Sequence, residues 1–254
     1  MKGIRKAITV IFSVYGFLIF LVLMIVLFPA VVVASFFGRV RGGNMIYNIC
    51  RFWADLAFFF WGIRLINIYE SPLKGDHPVI YIFNHISYID IPVWLKAIRR
   101  QPIRVLGKAE MAKIPIFGFI YREAAILVDR SSPRARAKSV EELMYFLRHN
   151  ISVVIAPEGT FNMSDKPLAP FYDGAFRIAI ETKTPIRPVV FPDANERLSR
   201  HSVFTLTPGR CRAIYLEEIP VNDYSVSDVQ LVKQKAFKAM EDALVRHKAG
   251  WIKD

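Results

Sequence analysis

Cysteine is scarce. Cys50 and Cys211 are the two in 254 residues, far apart and in no metal-ligand or redox spacing. Neither a disulfide framework nor a zinc site is indicated, and a reducing compartment fits best. His77, His85 and Asp90 lack a second ligand pair at metal-site spacing, so the sequence indicates no metal. A Gly-x-Ser-x-Gly elbow is missing too, as are internal repeats and low-complexity tracts. Acidic residues are few, 22 Asp plus Glu against 34 Lys plus Arg, and the net charge of +12 calls for an anionic partner: nucleic acid, lipid headgroups or a phosphorylated substrate.

Apolar residues, by contrast, are abundant. They make up 53% of the chain at a mean hydropathy of +0.29, and the excess is concentrated at the N-terminus. From Ile8 to Phe37 there is no charge, whereas Lys2, Arg5 and Lys6 precede the run and Arg39 and Arg41 follow it. As helix, these residues would reach about 45 Å against a hydrocarbon thickness of about 30 Å. The run is longer than the apolar region of a signal peptide and has no clear small-residue cleavage site, so it is expected to enter the bilayer. Basic residues at both ends leave a single span and a hairpin bent near Pro29 equally open. A second apolar stretch, Met45 to Tyr69, carries Trp53, Trp61 and Phe58 to Phe60 but is interrupted by Arg51, Asp55 and Arg64. It suits a helix at headgroup level or one packed on the soluble domain. The expected division is therefore 1–70 as membrane-embedded and interfacial helices and 71–254 as an enzyme-sized domain.

From Pro78 onward, short apolar runs alternate with helical periods. Strands are predicted at Val79 to Phe83, Ile103 to Leu106, Ala124 to Val128, Ile151 to Ala156, Ile186 to Phe191 and Arg212 to Glu217. Ser132-Pro133 supplies an N-cap and first helical residue for a helix on which Ala137, Val140, Leu143, Met144 and Leu147 recur. Further helices are predicted over about Gly174 to Thr182 and Ser225 to Lys248, the last with Val229, Val232, Ala236, Met240 and Leu244 as a packing face. This alternation implies an α/β fold with a mixed, largely parallel central sheet flanked by helices, and sites of such sheets lie in the loops at strand ends.

One of those loops carries a base. Asn84-His85-Ile86-Ser87-Tyr88-Ile89-Asp90 follows an apolar strand and runs into a helix start marked by Pro92. Within regular helix a five-residue spacing would point His85 and Asp90 about 140° apart. With His85 in the loop and Asp90 in the first turn they can meet, and a carboxylate on one imidazole nitrogen leaves the other free to take a proton from a hydroxyl.

The loop after the strand at Ile151 to Ala156 reads Pro157-Glu158-Gly159-Thr160. Taken with Asn84-His85 and Asp90, it resembles the glycerolipid acyltransferase family, and within it the 1-acylglycerol-3-phosphate acyltransferases. Two further blocks agree. Gly107-Lys108-Ala109-Glu110, Pro115-Ile116-Phe117-Gly118 and Ile126 to Arg130 resemble the family's second block, and Thr184 to Val189 its fourth. The resemblance covers roughly residues 78 to 192, and the preceding apolar segments are similar to the membrane-binding helices of bacterial members.

The resemblance implies transfer of a fatty acyl chain from acyl-coenzyme A or acyl-carrier protein to a lysophospholipid at a membrane, with the active site facing the cytoplasm. His85, oriented by Asp90, would act as general base with no protein nucleophile. Arg130 and, more weakly, Lys108 would bind the acceptor phosphate, while Glu158, Gly159 and Thr160 would form the acceptor loop. The family usually continues this block with an arginine, whereas here Phe161 follows Thr160. Lys166, Arg122 or Arg177 could replace that cation, or the acceptor could be another lysolipid or an acylated amino acid. The same base could also activate water on a thioester. A nucleic-acid module is disfavoured, because Arg99, Arg100, Arg104, Arg130, Arg134 and Arg136 have no aromatic platform and read as a solvated face drawn to anionic lipid.

Overall fold

The computed structural model describes residues 2–72, 75, 77–99, 101–128 and 133–253. Its first element, α1 (Lys2–Ser35), is one continuous helix with Pro29 inside it. At a rise of about 1.5 Å per residue it is longer than the apolar thickness of a bilayer, so by length and composition it could cross a membrane. Ile4, Ile8, Ile11, Phe17, Leu18, Ile25 and Val26 are exposed on it. The other side of α1 docks on the rest of the chain. Trp61 Nε1 donates to the Gly16 carbonyl at 3.0 Å, and Leu206 N donates to Ser13 Oγ at 2.9 Å.

A π-helical turn, Gly38–Gly42, leads into α2 (Gly43–Phe60), which packs back on α1. The expected single helix over 45–69 is not what forms. Gly62, at φ +61°, ends the helix in the left-handed region that glycine adopts without strain, and the β-branched run after it becomes strand β1 (Ile63–Tyr69). Its pairing explains the switch: β1 lies parallel to β7 (Gly209–Tyr215) along its whole length.

The remaining strands are β2 (Ile80–Phe83), β3 (Ile103–Lys108), β4 (Ala125–Val128), β5 (Ser152–Ile155) and β6 (Ile186–Val190). The sheet order is β1-β7-β6-β2-β5-β3-β4, parallel throughout except between β6 and β7. The connection from β2 to β3 through α3 (Asp90–Ala97) runs one way along that order. Those through α5 (Pro133–Arg148) and α6 (Gly174–Thr182) run the other way. Right-handed crossovers therefore put α3 on one face and α5 and α6 on the opposite face. α8 (Val229–Arg246) joins the second group, burying Val229, Val232, Ala236, Met240 and Leu244 as the periodicity predicts.

Arg104 departs from the solvated-face reading. It is 1% exposed, stacks its guanidinium 4.9 Å from the Phe146 ring centroid, and donates to the carbonyls of Ile103, Arg39 and Val40. Burial pulls its pKa down to about 10. The cation thus ties the π-helical turn to the sheet, and Gly43 makes room for it: a Cβ there would lie 2.3 Å from the Arg104 Nη2. Gly43→Ala should destabilise the protein by roughly 1–3 kcal/mol, the usual cost of overpacking. Denaturant unfolding of Gly43→Ala with and without Arg104→Ala checks this, since truncating the arginine should relieve the clash.

Candidate active site

The carboxyl ends of β2, β5, β3 and β4 lie side by side, because these strands are parallel neighbours. The loop after β2 carries His85, and α3 begins at Asp90. His85 Nδ1 stands 2.9 Å from Asp90 Oδ2, which also accepts from the amides of Ile86 at 2.8 Å and Ser87 at 2.9 Å. Asp90 is fully buried, while a quarter of the His85 side chain is exposed. The carboxylate is therefore fixed by backbone, and it fixes the imidazole with Nδ1–H toward it and Nε2 free to accept a proton.

The loop after β5 braces this arrangement from below. Glu158 Oε1 accepts from the His85 amide at 2.7 Å, and its Oε2 accepts from the Ala169 amide at 2.7 Å. Asn162 N donates to the His85 carbonyl at 2.8 Å. Both main-chain polar groups of the histidine are thus held by one loop. On the other side, Asn84 Oδ1 accepts from Phe191 N at 2.7 Å, and Ser87 Oγ donates to the Leu198 carbonyl. The turn that permits this is Gly159, at φ +69° with its amide on the Ala156 carbonyl.

A model of the acyltransferase family, described as Acyltransferase, matches residues 65–192. The chain belongs to that family. A 1-acyl-sn-glycerol-3-phosphate acyltransferase of Limnanthes douglasii is 30% identical over 221 residues, covering 82% of this chain and 71% of the relative. The chloroplastic 1-acyl-sn-glycerol-3-phosphate acyltransferase BAT2 of Brassica napus is 28% identical over 78% of this chain and 56% of its own length, so the chain spans little more than half of that relative. Among solved structures, the 1-acyl-sn-glycerophosphate acyltransferase PlsC of Thermotoga maritima has the same fold, with a TM-score of 0.77 at 20% identity over the full length of both chains.

The other anticipated site residues differ in burial and partners. Glu158, expected to meet the acceptor, is 2% exposed and has both oxygens committed to backbone amides, so its geometry is that of a brace for His85. Burial, reinforced by the charge of Asp90, pushes its carboxyl up to about 8 against the pull of the two amides. Thr160 is exposed. Lys108 is exposed at the carboxyl end of β3, opposite Val128 on β4. Beside it, the Tyr121 hydroxyl occupies the space that a Cβ on Gly107 would fill. Arg130 lies outside the described residues.

Of the three substitute cations, Arg122 donates to the Ala112 carbonyl at 2.6 Å, while Lys166 and Arg177 are exposed. Burial pushes the Cys50 thiol up to about 12 and the Cys211 thiol higher still, so neither cysteine is an activated nucleophile. Among the described residues no group of three or more His, Cys, Asp or Glu is placed to hold a metal ion.

Two contributors escaped the sequence reading. Asn162 carries no sequence signal, because its bond to His85 comes from the backbone amide. Phe161 stands in the sequence as a missing arginine, yet its ring centroid is 4.4 Å from that of His85.

Proposed function

We propose that this acyltransferase moves a fatty acyl chain from an acyl thioester to the free sn-2 hydroxyl of 1-acylglycerol-3-phosphate, giving phosphatidic acid. The observation that carries the reading is the 2.9 Å contact of His85 Nδ1 with the buried Asp90 carboxylate at the carboxyl end of a parallel sheet. His85 Nε2 takes the proton of the acceptor hydroxyl as its oxygen attacks the thioester carbonyl carbon. The new C–O bond forms, the C–S bond breaks, and the proton passes from the imidazolium to the departing thiolate. Asp90 stabilises the imidazolium in between. The covalent steps need no protein nucleophile.

The donor carries its acyl group on coenzyme A or acyl-carrier protein, and the acceptor comes from the bilayer in which α1 is anchored, with the site on the cytoplasmic side. Lys108 and Arg130 hold the acceptor phosphate, for which a guanidinium fork and an ammonium are both suited. Gly159 and Thr160 line its approach. Removal of a phosphate ligand acts on binding. Lys108→Ala and Arg130→Ala should each raise the acceptor KM by about tenfold with a smaller loss of kcat. Steady-state kinetics over a range of acceptor concentrations measures the split, and equal kinetics for phosphorylated and unphosphorylated acceptors would remove both residues from the phosphate site.

Phe161 favours a second reading of the acceptor. An aromatic ring packed on His85 stands where the family usually has a cation, which suits a lysolipid with another headgroup or an acylated amino acid. The deciding experiment is an acceptor panel: purified protein in mixed micelles, a labelled acyl thioester, and lysophosphatidic acid beside neutral and zwitterionic lysolipids. Phosphatidic acid as the dominant product supports the first reading, and its absence overturns it.

A further inference from the structure

The imidazole of His85 is flanked by aromatic rings. Phe83 lies at 5.7 Å between centroids and Phe161 at 4.4 Å, both edge to face with it. Phe161 in turn meets Tyr88 edge to face at 4.8 Å. Asn162 N donates to the His85 carbonyl, which ties the residue next to Phe161 to the histidine. Tyr88 is half exposed and a quarter of the His85 side chain is exposed, so the rings stand beside a base that solvent reaches.

A general base beside a thioester has two proton donors to choose from, the acceptor hydroxyl and water. Either one gives a balanced reaction: the oxygen bonds to the acyl carbon, the C–S bond breaks, and the proton travels through His85 to sulfur. The product is an ester in one case and a free fatty acid in the other. Water, far more abundant than any acceptor, has the advantage unless the site is kept dry, and closing a site against water prevents hydrolysis of reactive intermediates.

We infer that Phe161 is a water-excluding and positioning residue that commits His85 to the acceptor hydroxyl and suppresses hydrolysis of the acyl donor. This rests on the acyl-transfer reading. The test is the ratio of free fatty acid to acylated product at saturating acceptor, followed with a labelled acyl thioester in mixed micelles. That ratio does not depend on how much of a variant is folded, since one active site makes both products.

Phe161→Ala should raise the ratio by roughly tenfold, and Phe161→Leu, which restores apolar bulk, should bring most of it back. A merely structural role would lower both products together and leave the ratio unmoved, which overturns the inference while wild-type transfer stands. Wild-type protein that makes fatty acid and no acylated product would bring down the transfer reading, and this inference with it.

Discussion

His85→Ala should lose acyl transfer by a factor of about 10²–10⁴ while remaining folded, since general-base catalysis contributes on that order. The side chain is a quarter exposed, and the loop is held through the histidine's own backbone by Glu158 and Asn162, contacts that alanine keeps. Asp90→Asn should come close to the same loss. The amide can still accept from Ile86 and Ser87, but it carries no charge to stabilise the imidazolium. Because the pair acts as a unit, His85→Ala with Asp90→Asn should be no slower than His85→Ala alone. Initial rates at saturating donor and acceptor, with thermal melts as the control, measure all three. Wild-type rates in the alanine variant would remove His85 from the mechanism.

The second large effect is expected at Glu158. Glu158→Ala strands two buried amides, those of His85 and Ala169, at a cost of about 1–3 kcal/mol for each group left unsatisfied. It also frees the histidine loop, so kcat should fall together with stability. The effect is pH-dependent, and its sign follows from the carboxyl's being pushed up to about 8 by burial. Between the ordinary glutamate range and about 8, the folded protein holds a proton that the unfolded chain has released. The contribution of Glu158 to stability is therefore greatest at low pH and declines as pH rises through that window. The stability gap between wild type and Glu158→Ala should narrow from pH 5 to pH 8 in denaturant titrations. A gap that widens would mean that the carboxylate, not the acid, is the favoured buried form.

Several features were legible in the chain because they depend on near neighbours. The strand, loop and helix around His85 followed from an apolar run, five intervening bonds' worth of turn and Pro92, and the structure has Asp90 in the first turn as expected. The packing face of α8 followed from its period. Residues 63–69 did not read as strand, since their apolar, aromatic context extends the preceding helix and the partner strand that stabilises them begins at Gly209. Arg104 read as surface for a similar reason: Arg99 and Arg100 lie a few residues before it, whereas its partners, Phe146 and the carbonyls of Arg39 and Val40, are remote.

Glu158 marks the same boundary within the site. Its motif pointed to an acceptor loop, and the two buried amides that rest on its oxygens are brought to it only by the folded chain. Residue types and their local spacing were enough to establish the α/β order, the apolar helix and a histidine with a carboxylate within reach. Sheet order was needed for the rest, because the adjacency of β2, β5 and β6 is set by pairing between distant segments and not by neighbours along the chain. That adjacency turns Glu158 into a brace and seats Phe161 against the His85 imidazole.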